Sequence, residues 1–383
     1  MSYDLPDDVA RYIEEQQEGL LSLIETLCGI PAPSHQEEER ARFIATWLED
    51  RGAEGVYVDE ALNVVLPFGA QHGNDVVLFM AHTDTVFPDT APMPFYEKDG
   101  KLYSPGVGDN TANVAVLMLI AQYILERKPE PACGVLFAFN SCEEGLGNLK
   151  GCRQLMADYA GRVKQVVSFD GTYANITSDA VGSTRYRVEV KTEGGHSYSA
   201  FGNRNAIHLL SSMIGTLYDM KVPHQGKTTY NVGGISGGTS VNTIAQEAEM
   251  LYEYRSDSRN SLLAMERFFL GVVESYRNMG IEVSVEVLGE RPCSAAVDET
   301  AQEALLGRCS GIIQHFSGKT PPRRPGSTDC NIPLSMGIPA TCFGAYLGDG
   351  AHTREEWLSV DSLSTGMSIA TRLVLDYFHM AYL

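Results

Sequence analysis

The sequence predicts an α/β fold: a mostly parallel sheet in one domain, with an α+β domain of ferredoxin-like order inserted into it. Three observations lead there. The runs "VVLFMA" (76–81), "GVLFAF" (134–139), "VKQVVSF" (163–169) and "IPATCFGA" (338–345) are apolar without strict alternation, as in strands buried on both faces of a parallel sheet. Between the first two lies "NVAVLMLIAQYILERK" (113–128), helical in length and spacing, which completes a strand–helix–strand unit. From residue 183 the pattern turns to alternation, the mark of antiparallel strands with one wet face.

Along the chain, residues 7–28 and 36–51 carry apolar residues at three- and four-residue spacing and read as helices. Asn113 reads as the N-cap of the helix it opens. After residue 182, "STRYRVEVKTE" (183–193) reads as a strand and 204–219 as a helix. Strands at 227–235 and 246–257, a helix at 259–279 and a strand at 281–289 follow. That order is β-α-β-β-α-β. The parallel-type pattern resumes after 292. The expected division is therefore one domain of 1–181 and 292–383 and an inserted domain of 182–291.

A chain of 383 residues suits roughly two such domains. Its net charge of −20 repels phosphate backbones and anionic lipid, which argues against nucleic-acid and membrane partners. No apolar run has the length of a membrane span. The start, "MSYDLPDDVARYIEEQQ", lacks the basic and apolar blocks of a signal peptide, so a cytoplasmic location is expected. Eight scattered cysteines without a CxxC pair read as reduced, mostly buried thiols.

Open parallel sheets bind ligands beyond the carboxyl ends of their strands. The apolar runs end in "HTD" (His82, Asp84), "NSCEEG" (Glu143, Glu144), Asp170 and "YLGDGAHT" (His352), and Asp109 stands just before the helix at 113. These groups converge on one rim. Imidazole and carboxylate without thiolate favour zinc, manganese or cobalt, and there are ligands enough for two ions sharing a carboxylate. On extended backbone, residues two apart point the same way. His82 can then face a metal while Asp84 accepts a proton from its other ring nitrogen. Adjacent glutamates diverge, so one can bind metal while the other acts as a general base. Taken singly, each motif also reads as a solvated turn or a surface acid.

The ordered set "FMAHTDTVFP", "GVGDNTANVAVL", "FNSCEEGLGN", "VVSFDGT", "EGGHSYSAFGNRNAI", "GGTSVNTIA" and "GAHTREEWLSVDSL" resembles the two-zinc, co-catalytic metallopeptidase and deacylase family. That family includes peptidase T, glutamate carboxypeptidase, acetylornithine deacetylase and succinyl-diaminopimelate desuccinylase. The resemblance runs from about residue 20 to 375. It implies a zinc exopeptidase-like catalytic domain with a lid and dimerisation domain. It also implies that His82 and Asp170 hold one metal, Glu144 and His352 the other, and that Asp109 bridges. Glu143 becomes the general base and Asp84 the partner of His82. His196 becomes an oxyanion donor supplied to the partner subunit's site, and Asn242 and Arg255 become substrate contacts. Relatives often carry Asp-Asp-Lys-Gly where this chain has Asp109-Asn110-Thr111-Ala112, which bears on substrate subtype and on the local cis-peptide geometry.

The expected function is metal-dependent hydrolysis of an amide bond in small peptides, of the aminopeptidase or di- and tripeptidase type and nearest to peptidase T. Two divalent ions serve it, zinc first and cobalt or manganese as alternatives. The competing readings are a deacylase of N-acyl amino acids and a metal-binding protein without catalysis. A homodimer through the inserted domain is expected. Other signals are weaker. "GISGG" (234–238) fits a nucleophile elbow only formally, since it lies between antiparallel-type strands. "GVGDNT" lacks the third glycine of a dinucleotide loop. Cys142 reads as a packed strand residue rather than a nucleophile, and the Asn175 sequon means little in a cytosolic chain.

Overall fold

A computed structural model describes residues 3–70 and 73–379. The chain divides into two compact units, one formed by the chain up to Ala180 and from Ala296 onward, the other by Val181–Ala295.

The first unit is built on an eight-stranded sheet. Its order is Tyr57–Val58, Val64–Phe68, Gly134–Asn140, Val76–His82, Val163–Ser168, Ala340–Cys342, Ile176–Ala180 and Arg323–Gly326. Val76–His82 pairs in parallel with strands on both sides, and Ala340–Cys342 pairs in parallel with Val163–Ser168 and antiparallel with Ile176–Ala180. The first two strands are antiparallel. Every residue of Val76–His82 and Gly134–Asn140 is buried, as their unbroken apolar pattern requires. Phe79 stacks with Phe169 at 6.2 Å between ring centres and meets Phe137 edge-on at 6.0 Å. Each such buried ring contributes about 1.5–3 kcal/mol. Helix Asn113–Arg127 packs into this core along most of its length.

Three local expectations are corrected. Residues 7–28 form two helices, Asp7–Glu15 and Gln17–Cys28, because Gln16 takes φ −88° and ψ 1° between them. Asn113 is not an N-cap; Ala112 is, already in helical conformation. The Asn113 side chain instead donates to Asn110 Oδ1 and Gly171 O and accepts the Ala345 N–H. The apolar run 338–345 yields only a three-residue strand, Ala340–Cys342.

The second unit has a four-stranded antiparallel sheet, ordered Thr228–Gly237, Glu247–Ser256, Gly182–Lys191 and Glu282–Arg291. Helices Ala206–Tyr218 and Arg259–Asn278 share its core. The order in space, second–third–first–fourth, is that of a ferredoxin-like fold. Strand Glu247–Ser256 buries Ala248, Met250, Tyr252, Tyr254 and Ser256 and turns the alternate residues outward. Residues 234–237 of "GISGG" lie inside an edge strand, not at a strand-to-helix turn. No cysteine forms a disulfide, and no helix among the described residues is long and apolar enough to cross a membrane.

Candidate metal centre

His82 is the last residue of the central strand and is 1% exposed. Its Nε2 lies 3.2 Å from Asp109 Oδ1 and 3.7 Å from Asp170 Oδ1. The other oxygen of Asp109, Oδ2, lies 3.2 Å from His352 Nε2, which is 3.1 Å from Glu144 Oε1. Two clusters result, His82 with Asp109 and Asp170, and His352 with Asp109 and Glu144. One carboxylate serves both. Glu143 and Glu144 also come together with His82. Seven residues read from the sequence thus meet at the carboxyl ends of the strands.

The electrostatics suit a cation. Burial opposes charge on His82, but Asp109, Asp170 and Asp84 outweigh it and raise its pKa well above the usual histidine value. His352 is lifted to about 10, first by Asp109 and then by Glu144. Burial pushes Glu144 up. Burial would also raise Asp109, but His352 and His82 bring it below the usual carboxylate range. Asp109 Oδ1 is buried, with the His82 imidazole 3.2 Å away as its polar neighbour. A buried carboxylate oxygen is costly unless a cation or donor meets it. Imidazole nitrogens and carboxylate oxygens without thiolate suit a zinc-type divalent ion in each cluster, so the residues present fit two ions.

Asp84, fully buried, does more than the sequence suggests. Its Oδ1 accepts the N–H of Glu143 and its Oδ2 the N–H of Glu144, both at 2.9 Å. Ser34 Oγ donates to Oδ2 at 2.6 Å. Its carboxylate is 3.4 Å from His82 Nδ1, whereas the hydrogen bond of that nitrogen, at 3.2 Å, goes to the backbone carbonyl of Asp84. Asp84 therefore fixes the glutamate turn with its side chain and His82 largely with its backbone.

Glu356 escaped the sequence reading. It is buried, and it accepts three backbone N–H groups: Gly106 at 2.7 Å, Gly108 at 2.9 Å and Asp109 at 2.7 Å. Gly106, at φ +74°, opens that turn, in the left-handed region glycine favours. The available signal was a second glutamate four residues after His352, ahead of the apolar "WLSV". The departure at 110–112 also has a local account. Asn110 follows a cis peptide bond and donates from Nδ2 to the carbonyl of Phe169, next to Asp170.

The remaining candidates belong to the second unit. His196 and Thr243 face each other in a short antiparallel pair, and Ser197 N–H donates to the Asn242 carbonyl at 2.9 Å. His196 is exposed, and its Nδ1 accepts the Tyr198 N–H at 3.2 Å, which leaves the ring proton on Nε2. Asn242 Oδ1 accepts from Ser240. Arg255 stands far along strand Glu247–Ser256, its fork held by both oxygens of Glu253 at 3.1 and 3.0 Å. From Glu247, beside the His196 hairpin, to Arg255 the strand spans roughly 26 Å.

A parallel sheet whose rim holds two imidazole–carboxylate clusters sharing one carboxylate defines a metal-dependent hydrolase of the dinuclear kind. The chain belongs to Peptidase family M20/M25/M40, whose model matches residues 78–376. It is a hydrolase acting on amide bonds. It is 27% identical over 351 residues to a succinyl-diaminopimelate desuccinylase of Corynebacterium glutamicum, covering 89% of this chain and 92% of that one. Among solved structures, a tripeptidase from Staphylococcus aureus superposes with a TM-score of 0.76 at 21% identity, over 94% of this chain and 97% of that one. A dinuclear metal-binding peptidase from Bacillus subtilis superposes with a TM-score of 0.62 at 19% identity, over 95% of this chain and 100% of that one.

Proposed function

We propose that the chain is a dinuclear peptidase of small peptides, of the aminopeptidase or di- and tripeptidase type. The observation that carries it is the Asp109 carboxylate, whose two oxygens face two different imidazoles, each at 3.2 Å. His82 and Asp170 would hold one ion, Glu144 and His352 the other, and Asp109 both. Zinc is the first choice, with cobalt and manganese as alternatives. When bound, the ions acidify water and polarise the scissile carbonyl.

The rest is done by the chain's own side chains. Glu143, 5% exposed and beside His82 and Glu144, takes the proton of the attacking water and returns it to the leaving amine. Asp84 keeps Glu143 and Glu144 divergent by gripping both backbone N–H groups. His196, with its proton on Nε2, donates to the developing oxyanion. Asn242 and Arg255 contact substrate, Arg255 after exchanging Glu253 for a substrate carboxylate.

His196, in its own two-stranded pair, and Arg255, near the end of strand Glu247–Ser256 in the four-stranded sheet, stand far apart within one chain, which supports a homodimer in which His196 of each chain serves the other's site. Mixing inactive His196→Ala with inactive Glu143→Gln tests this. Exchange of subunits should restore activity; none after full exchange places His196 in its own chain's site.

Deacylation of N-acyl amino acids is the second reading, favoured by the desuccinylase relative. A panel of di- and tripeptides beside N-acetyl and N-succinyl amino acids, with zinc, manganese and cobalt, separates the two. Turnover of acyl amino acids alone overturns the peptidase reading. Two bound metals with no turnover would make the chain a metal-binding protein.

A further inference from the structure

The turn that carries the proposed base begins with an unfavourable residue. Cys142, immediately before Glu143, has φ +57°, a left-handed conformation that a non-glycine residue resists. Its peptide groups are held from both sides. Leu149 N–H donates to the Cys142 carbonyl at 2.9 Å. The Cys142 N–H donates to Glu37 Oε1 at 3.0 Å, and the Cys142 thiol lies 3.3 Å from the same oxygen. The three successive N–H groups of Cys142, Glu143 and Glu144 thus end on two buried carboxyls, Glu37 and Asp84.

Glu37 is completely buried, and its Oε2 has no hydrogen-bond partner among the described residues. Burial, then the nearby charge of Asp84, pushes its carboxyl upward. A side chain so costly to bury makes little sense as a solvated helix start. Helix Glu38–Glu49 begins just after it, and one turn on, Arg40 is 3% exposed. Arg40 donates to the carbonyl of Thr83 at 2.8 Å, between His82 and Asp84, and to those of Leu27 and Ile30. Pro33 bridges to Thr85, and Ser34 reaches Asp84. Segment 33–40 therefore grips both turns of the centre.

We propose that Glu37 is a positioning residue for the general base: by accepting the Cys142 N–H it holds the left-handed peptide that aims Glu143. The inference rests on the assignment of Glu143 as base, and nothing in it requires Glu37 to touch substrate or metal. The acceptor matters, not the charge, so a carboxamide should serve.

The test compares Glu37→Met, Glu37→Asp and Glu37→Gln in the full, metal-loaded chain, with Glu37→Met repeated in a Cys142→Gly background. Metal content, deuterium uptake in the segment 140–149, and kcat and KM on the best substrate of the panel are read together. Glu37→Met should keep two ions, lose about 10–100-fold in kcat with KM within about threefold, and take up deuterium faster in that segment. Glu37→Gln should stay within about threefold of native in kcat and uptake. Glycine at 142 adopts positive φ freely, so there the penalty should shrink by about fivefold or more. Should Glu37→Met fail to fold, Glu37→Asp, which withdraws the acceptor by one methylene, should show the same loss. Native kcat and native uptake in the folded Met or Asp variant overturn the proposal. So does equal impairment of Gln and Met. If the native chain hydrolyses nothing in the panel, the base assignment falls, and the uptake comparison alone decides whether Glu37 holds the turn.

Discussion

Glu356 Oε1 accepts the backbone N–H of Asp109 at 2.7 Å across 247 residues of chain. The contact ties the segment that bears His352 to the turn that bears the shared carboxylate. With Gly106 and Gly108 also donating to it, Glu356 sets the backbone from which Asp109 reaches both imidazoles. In Glu356→Gln one acceptor oxygen becomes an NH2 that faces a backbone donor. We expect the fold to persist and metal affinity to fall about 10–100-fold, as for other groups that orient metal ligands. Chelator competition with zinc checks this. Native affinity in the variant would show that the glycine turn holds its shape unaided.

The chemistry-bearing residues were legible in the sequence, and those that aim them were not. His82, Glu144, Asp170 and His352 announce themselves as polar residues following apolar runs that contain the strands, and Asp109 as an acid just before a helix. Glu356 and Glu37 act by accepting backbone N–H groups from turns 247 and 105 residues away. Side-chain type says nothing of which amide a carboxylate will meet. One trace was readable: positions 37, 40, 41, 44 and 48 form a buried stripe, and two of them are Glu37 and Arg40. Charges on an apolar helix face signal bound partners. The Asn113 cap failed for a related reason. A capping residue spends its side chain on its own helix, whereas Asn113 spends its on Gly171 and Ala345.

Glu143→Gln should separate chemistry from binding. The amide keeps the shape and removes only the proton acceptor. Two metals should remain, KM should change little, and kcat should fall by about a thousandfold. Elemental analysis beside steady-state kinetics on the chosen peptide decides it. Activity within about tenfold of native would remove Glu143 from the role of base and leave Glu144 as the nearest candidate.

Metal loading should expel protons. In the metal-free chain the surrounding carboxylates raise the pKa of His82 well above the usual histidine value and that of His352 to about 10, so at pH 7 the His352 imidazole is protonated. A metal ligand must be neutral imidazole. Binding of two ions at pH 7 should therefore release at least one proton per chain, that of His352, and more as His82 gives up its own. Apparent affinity should weaken as pH falls, because protons compete for the same nitrogens. Calorimetric titration of zinc in two buffers of different ionisation enthalpy counts them. No release would mean that the imidazoles enter the metal-free state neutral, and that the carboxylates around them are satisfied in another way.

Asp329 supplies a second pH dependence, from a buried carboxyl that is not itself assigned as a ligand. It is fully buried, its Oδ2 accepts from Asn140 Nδ2 at 2.7 Å, and its Oδ1 makes no hydrogen bond. Burial first, and then the charges of Asp170 and Asp84, push its pKa from 3.8 to about 7. The unfolded chain releases this proton near the ordinary value, so between about pH 4 and pH 7 the folded state binds more protons than the unfolded one. Stability then falls as pH rises through that window and levels off above it. The contribution is on the order of 4 kcal/mol. Asp329→Asn keeps the shape and the acceptor for Asn140 while removing the ionisation. Its thermal midpoint, compared with the native chain at matched metal loading, should be equal or lower at pH 4.5. At pH 8 it should be higher by several degrees. A gap that stays constant from pH 4.5 to pH 8 would mean that Asp329 ionises in the folded chain as readily as in the unfolded one.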